Sequence, residues 1–142
     1  MNKPISKNLH GLIDYTYAAI VPVLPELAGF RKRETAKVLC RSLGAGALTY
    51  TLLTKARWGL IPLLPFKAHL AIDLSVSCLA LAAPWLLGFS RKKTARNALL
   101  AAGIIGLTAS LLTDPEEKHG REQLIYSFNR QEIASQKMGL AG

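Results

Sequence analysis

The chain is poor in residues that staple or catalyse on their own. It has two cysteines in 142 residues, Cys40 and Cys78, too few for a disulfide scaffold. With no CxxC or Cys/His spacing they make neither a zinc ribbon nor a thioredoxin-like pair. Both lie in apolar stretches and are expected to be buried thiols that pack as small hydrophobes. Acidic residues number nine against 18 Lys and Arg, and charged residues make up 19% of the chain, below the roughly 25% of an ordinary soluble domain. No P-loop, Rossmann fingerprint, HExxH or nucleophile elbow occurs, which leaves hydrolase and nucleotide chemistry of those kinds without support. The basic runs carry no interleaved aromatics beyond Phe30 and Phe89, so nucleic acid is a poor partner.

What is present is apolar: half of the residues are hydrophobic. Residues 97–113 and 74–90 are each free of charge, and at 1.5 Å per residue such a run covers about 25 Å of helix. Adding residues 69–73 lengthens the second run to about 30 Å, a full hydrocarbon thickness. A third segment is uncharged from Ser42 to Thr54, with Lys37 and Arg41 at its end placed to snorkel. The first segment, about residues 10–30, holds Asp14, Glu26, Pro22 and Pro25 and is expected to be kinked or tilted if it spans. A soluble bundle would show a polar stripe on each helix, and NALLAAGIIGLTASLLT has only Asn, Ser and Thr to offer one. A cleaved signal peptide beginning Met1-Asn2-Lys3 is the other alternative.

The chain is a tandem duplication. A shift of 59 positions aligns residues 10–54 with 69–113 without a gap, with 15 of 45 pairs identical. Identities include His10/His69, Asp14/Asp73, Pro25/Pro84, Gly29-Phe30/Gly88-Phe89, Gly44/Gly103 and the closing Leu-Leu-Thr. The first segment therefore corresponds to an internal one, which disfavours the signal peptide. Each repeat reads as helix, short basic turn, helix. With two crossings per repeat, both copies enter a membrane from the same side, related by an axis near its normal. The expected fold is all-α, an integral membrane four-helix bundle of two hairpins: an N-terminal segment 1–9, repeat 1 at 10–54, an interfacial connector 55–68, repeat 2 at 69–113 and a polar tail 114–142.

The hairpin turns GFRKRETAK and GFSRKKTAR place Arg31, Lys32, Arg33, Arg91, Lys92 and Lys93 beside one membrane edge. They are expected to set topology, with these turns cytoplasmic in a bacterial inner membrane, or to meet anionic lipid headgroups. Basic residues at the opposite side, among them Lys3, Lys7, Lys55, Arg57 and Lys67, bring the two sides near parity. Glu26 is expected to pair with Arg31 or Arg33. In the connector Trp58 and Phe66 suit a headgroup interface, and its two prolines argue against a further span. In the tail Leu124, Phe128 and Ile133 read as a weak surface helix and His119 as solvated. Ala98, Ala102, Gly106 and Ser110 form a small-residue stripe for close helix packing, with Ser42 and Gly46 a shorter version. These stripes serve the bundle itself, a homo-oligomer or a membrane partner protein.

The stretch Ala83-Pro84-Trp85-Leu86-Leu87-Gly88-Phe89 resembles the signature of the SPW-repeat family of small membrane proteins. In that family a Ser-Pro-Trp-like tripeptide lies in the first of two transmembrane helices per repeat. The resemblance spans both repeats, about two thirds of the chain; Ala83 stands for the Ser, and the first repeat has Leu24-Pro25-Glu26 without the Trp. It implies an integral membrane protein of unassigned activity, most simply a non-enzymatic structural or interaction module, and supplies no catalytic residue.

One constellation carries chemistry. His10 and Asp14 are four apart, on one helix face, and His69 and Asp73 repeat them at the same expected depth. Ionisable groups in a membrane helix cost about 2.5–3.5 kcal/mol each at the centre, and about 0.3–1 kcal/mol is recovered for an acid in a helix's first turn. Three readings stay open: a structural terminus or buried hydrogen-bonded pair; a divalent metal or proton site built from all four; and a haem with the two histidines as axial ligands.

Overall fold

A computed structural model describes residues 3–115, 126–133 and 135–136. Among them the chain is all-helical, without a named strand. Helix α1 runs Lys7–Ile20, continues through a 3-10 turn at Val21–Val23 and ends in the short α2 at Leu24–Leu27; α3 spans Glu34–Leu52, α4 Phe66–Leu86 and α5 Lys93–Leu112. Shifted by 59, the span of α4 falls on residues 7–27, the combined extent of α1, the 3-10 turn and α2. The one difference within it has a local cause. Repeat 1 has Pro22 and Pro25, and each removes a backbone N–H and crowds the preceding turn. A 3-10 turn absorbs the break. Repeat 2 has Leu81 in place of Pro22 and keeps only Pro84, two residues from the end of α4.

Helices α1 and α4 begin three residues before His10 and His69. Ser6 caps α1 by accepting from the Leu9 N–H at 3.3 Å, and Pro65 precedes α4. The connector expected over 55–68 thus ends as helix from Phe66. Residues 55–64 fold back on the end of α3, with the Leu60 N–H on the Leu52 carbonyl at 2.7 Å and the Lys55 N–H on that of Leu64 at 2.8 Å.

Both hairpin turns use one device. The Phe30 N–H donates to the Pro25 carbonyl and the Phe89 N–H to that of Pro84, each at 2.9 Å. Gly29 and Gly88 take φ of 74° and 73°, the left-handed conformation in which a side chain is strained. This is a Schellman-type stop whose trailing apolar residue packs inward, and Phe30 and Phe89 are both buried. The Pro-x-x-x-Gly-Phe spacing is therefore a helix terminator, repeated. Pro25 and Pro84 are buried and Trp85 is exposed.

At the other end the repeats interlock. The Ile5 N–H donates to the Leu112 carbonyl and the Leu64 N–H to that of Leu53. These are equivalent contacts, because each repeat's last residues pair with the strand-like entry to the other repeat's first helix.

The core is built of small side chains, Ala36, Cys40, Ala80, Ala83, Ala95 and Ala102 around Leu43 and Leu99, so helices approach closely. The outer faces are apolar as well: Leu12, Val38, Leu79, Ile104 and Ile105 are 49–64% exposed. Helices α4 and α5 are long and apolar enough to cross a membrane; α3 carries Glu34, Lys37 and Arg41 in its first turns, and α1 is broken by the 3-10 turn.

Several expectations are corrected. Cys40 is buried but Cys78 is exposed, because it lies on the outward face of α4, one residue past the inward Ser77. Ser42 and Gly46 are exposed, so of the uses open to that stripe packing within the bundle is excluded; the inward stripe of α3 is Leu43, Gly44, Ala47 and Thr51. Glu26 pairs with Arg41 at 3.1 Å, since the end of α2 faces the second turn of α3. Phe128 and Ile133 lie in a helical stretch at 126–133 and are exposed; His119 and Leu124 lie outside the described residues.

A side chain at Gly44 would strike the Pro22 ring, and one at Gly103 would meet Leu81 Cγ at 2.7 Å, whereas Gly46 faces open space. Gly44→Ala and Gly103→Ala should therefore lower the thermal unfolding midpoint, at a cost of about 1–3 kcal/mol for overpacking. Gly46→Ala should leave it equal or raise it, because helix propensity favours Ala by about 1 kcal/mol.

Candidate metal centre

The four residues singled out by the duplication converge. His10 and His69 are fully buried, and Asp14 and Asp73 are 7% and 6% exposed. Contacts cross between repeats: His10 Nε2 lies 2.9 Å from Asp73 Oδ2, and His69 Nε2 lies 2.9 Å from Asp14 Oδ2. The contacts within each helix are longer, 3.4 Å for His10 with Asp14 and 3.1 Å for His69 with Asp73. The result is a closed ring of alternating nitrogen and oxygen atoms about the axis relating the hairpins. Neither repeat contains it alone.

The outer nitrogens are fixed by threonines. Thr113 Oγ1 donates to the Ala109 carbonyl at 2.6 Å, and Thr54 Oγ1 donates to that of Tyr50 at 2.6 Å. A hydroxyl has one proton, so each threonine can only accept from the histidine it faces, His10 Nδ1 on Thr113 and His69 Nδ1 on Thr54, both at 2.7 Å. Each Nδ1 therefore carries its proton, and the lone pair of a neutral imidazole points from Nε2 into the ring. A hydrogen-bond partner that selects the tautomer in this way is the usual support of a metal-ligating histidine.

The proton count then has two solutions. Two neutral imidazoles and two carboxylates carry a net charge of −2, and every ring contact sets an acceptor against an acceptor. Such a buried arrangement is stable only if two protons enter the ring or one divalent cation does. Geometry admits the cation: the four ligand atoms lie within 4.8 Å of one another, with ring edges of 2.9–3.4 Å. A tetrahedral ion with bonds of about 2.0–2.1 Å needs all six ligand separations near about 3.3 Å, so the short ring edges must widen by a few tenths of an ångström and the separations across the ring must contract. Two imidazoles with two carboxylates suit zinc and other first-row divalent ions better than magnesium or calcium. A haem does not fit. Each Nε2 is already within 3.4 Å of both carboxylates, which occupy the space a porphyrin would need.

Three further groups complete the site, and motif spacing did not single them out. Tyr50 donates to Asp73 Oδ1 at 2.5 Å; its counterpart in repeat 2 is Ala109, so Asp14 has no equivalent donor from that position. A cavity of about 20 Å³ lies between Asp14, Asp73, Tyr17, Tyr50 and Ser77, room for about one water molecule. Towards the nearer end of the molecule, aromatic rings cover the centre: Phe66 stacks on His69 with an interplanar angle of 15°, and Trp58 meets both edge-on. Trp58 is held by its Nε1–H on the Lys7 carbonyl at 3.0 Å and by Tyr15 on its own carbonyl. It seats directly over Gly11, where any side chain would collide with its indole. The identity of Thr54 and Thr113 in the repeat was a visible signal for the threonines; Tyr50, with Ala109 opposite it, left none, and Trp58 and Phe66, expected at a headgroup interface, pack on His69 instead.

Of the remaining sequence candidates, Arg31, Lys32, Arg33, Arg91, Lys92 and Lys93 come together at the far end, and Pro25, Pro84 and Trp85 serve the helix stops described above. Comparison of the chain with protein-family models, with curated proteins and with solved structures gives no match.

Thr54→Val and Thr113→Val should destabilise the fold by similar amounts, about 1–3 kcal/mol for the buried Nδ1–H left unpaired, and Thr→Ser at either position should restore most of the loss. Thermal unfolding of the four variants checks the twofold equivalence; one threonine proving silent would break it.

Proposed function

We propose that this chain is a four-helix integral membrane protein whose two hairpins are tied together by one divalent metal ion, of the zinc class, bound to His10, Asp14, His69 and Asp73. The observation that carries this reading is the pair of threonine-fixed tautomers, which aim two imidazole lone pairs at two carboxylate oxygens in a buried ring. A +2 ion satisfies all four groups at once and leaves no net charge. Four protein ligands fill a tetrahedral shell, and a filled shell belongs to structural rather than catalytic sites, which keep a position open. The protein is accordingly read as a non-enzymatic membrane module, in keeping with its resemblance to SPW-repeat proteins.

Support for the membrane comes from the inversion of polarity. The buried polar set includes His10, Asp14, Thr51, Thr54, His69, Asp73, Ser77, Ser110 and Thr113, while large aliphatic side chains are exposed on the outer faces. Exposed apolar surface on that scale marks an interaction with lipid or protein, and ionisable groups turned inward are the arrangement a bilayer demands. Only a third of the apolar window in each of α4 and α5 is buried within the chain, unlike the core helix of a soluble protein. The first crossing is then the broken α1 to α2 segment, and the charges at the start of α3 lie beside the basic turns.

A second reading puts two protons where the ion would be, and the two 2.9 Å ring edges, ordinary lengths for a charge-assisted hydrogen bond, favour it. Elemental analysis of protein purified in mild detergent separates the two. One divalent ion per chain is expected, with loss of the ion in Asp14→Asn and in Asp73→Asn. A chelator should lower the unfolding midpoint and zinc or cobalt restore it, by about 4 kcal/mol at a thousandfold excess over Kd. Absence of metal together with no chelator response would leave the proton-held ring. The membrane reading is checked separately: the protein should stay in the membrane fraction through an alkaline wash.

A further inference from the structure

The end of the molecule away from the His/Asp centre carries a cleft of about 560 Å³ between the two hairpin turns. Six cations line it, Arg31, Lys32 and Arg33 from one turn and Arg91, Lys92 and Lys93 from the other, with Glu26 the one acid on its wall. Glu26 is engaged by Arg41. Among the described residues none of the six is paired with a carboxylate. Like charges gathered in a cleft repel one another unless an anion sits among them. The two turns correspond under the shift of 59, which sets Lys32 on Arg91 and Arg33 on Lys92, with Arg31 and Lys93 as one further cation in each turn, and each triad lies at the start of a helix. Neither α3 nor α5 has a side-chain cap, so their first-turn N–H groups and the positive ends of their dipoles add to the same potential. The floor is apolar and rigid: Phe30 and Phe89 are buried beneath the turns, whose path is set by Gly29 and Gly88.

From this arrangement we propose that the cleft binds an anion carrying two phosphate groups, one for each triad. A single phosphate would engage one triad; a bisphosphate can engage a triad on each turn at once. Arginine supplies forked donors for phosphate oxygens, and both turns provide it. Two sources present this chemistry: the headgroup of a diphosphatidylglycerol lipid, for which basic pockets between helices at a membrane edge are suited, and a free diphosphate. This proposal is independent of the metal centre, which lies at the other end of the helices.

Full-length protein in detergent micelles, titrated with diphosphatidylglycerol and, separately, phosphatidylglycerol, and followed by native mass spectrometry, tests it. Expected is one diphosphatidylglycerol bound at least tenfold more tightly than phosphatidylglycerol at equal phosphate concentration. Replacing Arg31, Lys32 and Arg33, or Arg91, Lys92 and Lys93, by Ala should weaken binding about a hundredfold, and Lys55→Ala with Arg57→Ala at the opposite end should not weaken it. All six cleft residues are exposed, so the triple variants should keep the unfolding midpoint; if one does not, Arg31→Gln with Arg91→Gln replaces it. Inorganic pyrophosphate competing for the site would identify a free diphosphate as an acceptable source, and failure to compete while lipid still binds would assign the site to the lipid. Equal binding of the two lipids, or equal loss in the opposite-end control, would overturn the proposal.

Discussion

The structure depends on a reciprocal exchange. Each histidine reaches out of its own repeat, taking a carboxylate and a threonine from the other: His10 meets Asp73 and Thr113, and His69 meets Asp14 and Thr54. Four buried ionisable groups would each be costly alone, yet arranged in a ring they can be satisfied together, by two protons or one divalent cation. Neither hairpin can satisfy its own pair, because the contacts within a helix are the longer ones and each histidine's threonine partner lies on the other hairpin. Docking of the two hairpins and completion of the site are thus one event. The paired entries at Ile5 and Leu64 fix the relative depth of the helices on which that event relies.

Duplication explains why so much could be read from residues. A shift of 59 exposes both hairpins, their basic turns and the repeated His-x3-Asp, because a helix start, a Schellman stop and a buried polar pair each need particular residue types at fixed spacing. Facing was harder to infer. Cys78 and Ser77 are neighbours in an apolar run, and no hydropathy pattern says which of them points inward when both faces of a helix are apolar. Gly44 and Gly46 posed the same difficulty on α3, and it was Pro22, from another helix, that decided between them. Glu26 had three basic residues near it in sequence but meets Arg41, since the chain reverses at Gly29 and brings the second turn of α3 alongside. Long-range geometry of this kind leaves no trace in local spacing.

Departures from the twofold pattern are as informative as the pattern. Tyr50 donates to Asp73, whereas Ala109 occupies the matching position beside Asp14. Trp58 covers the His69 side, docked on Gly11, whose counterpart is Leu70 and has no room for an indole. Asp73 is therefore held on both oxygens, whereas Asp14 lacks the tyrosine donor, and both border the small cavity. The two carboxylates are thus hydrogen-bonded differently around one shared cavity.

The two ends of the helices pose opposite electrostatic problems. At one end the ring presents four acceptor atoms and calls for two positive charges from protons or a metal. At the other, six cations converge with their nearest acid already engaged, and they call for anions. Both demands arise from one duplication event, because copying a hairpin about a near-twofold axis doubles whatever charge lies close to that axis. An ionic group far from it would be copied to a distant place and stay an isolated surface charge. The axis therefore gathers the repeated His/Asp groups at one pole and the cations of the two turns at the other, and on the readings proposed above each cluster is completed by a counter-ion.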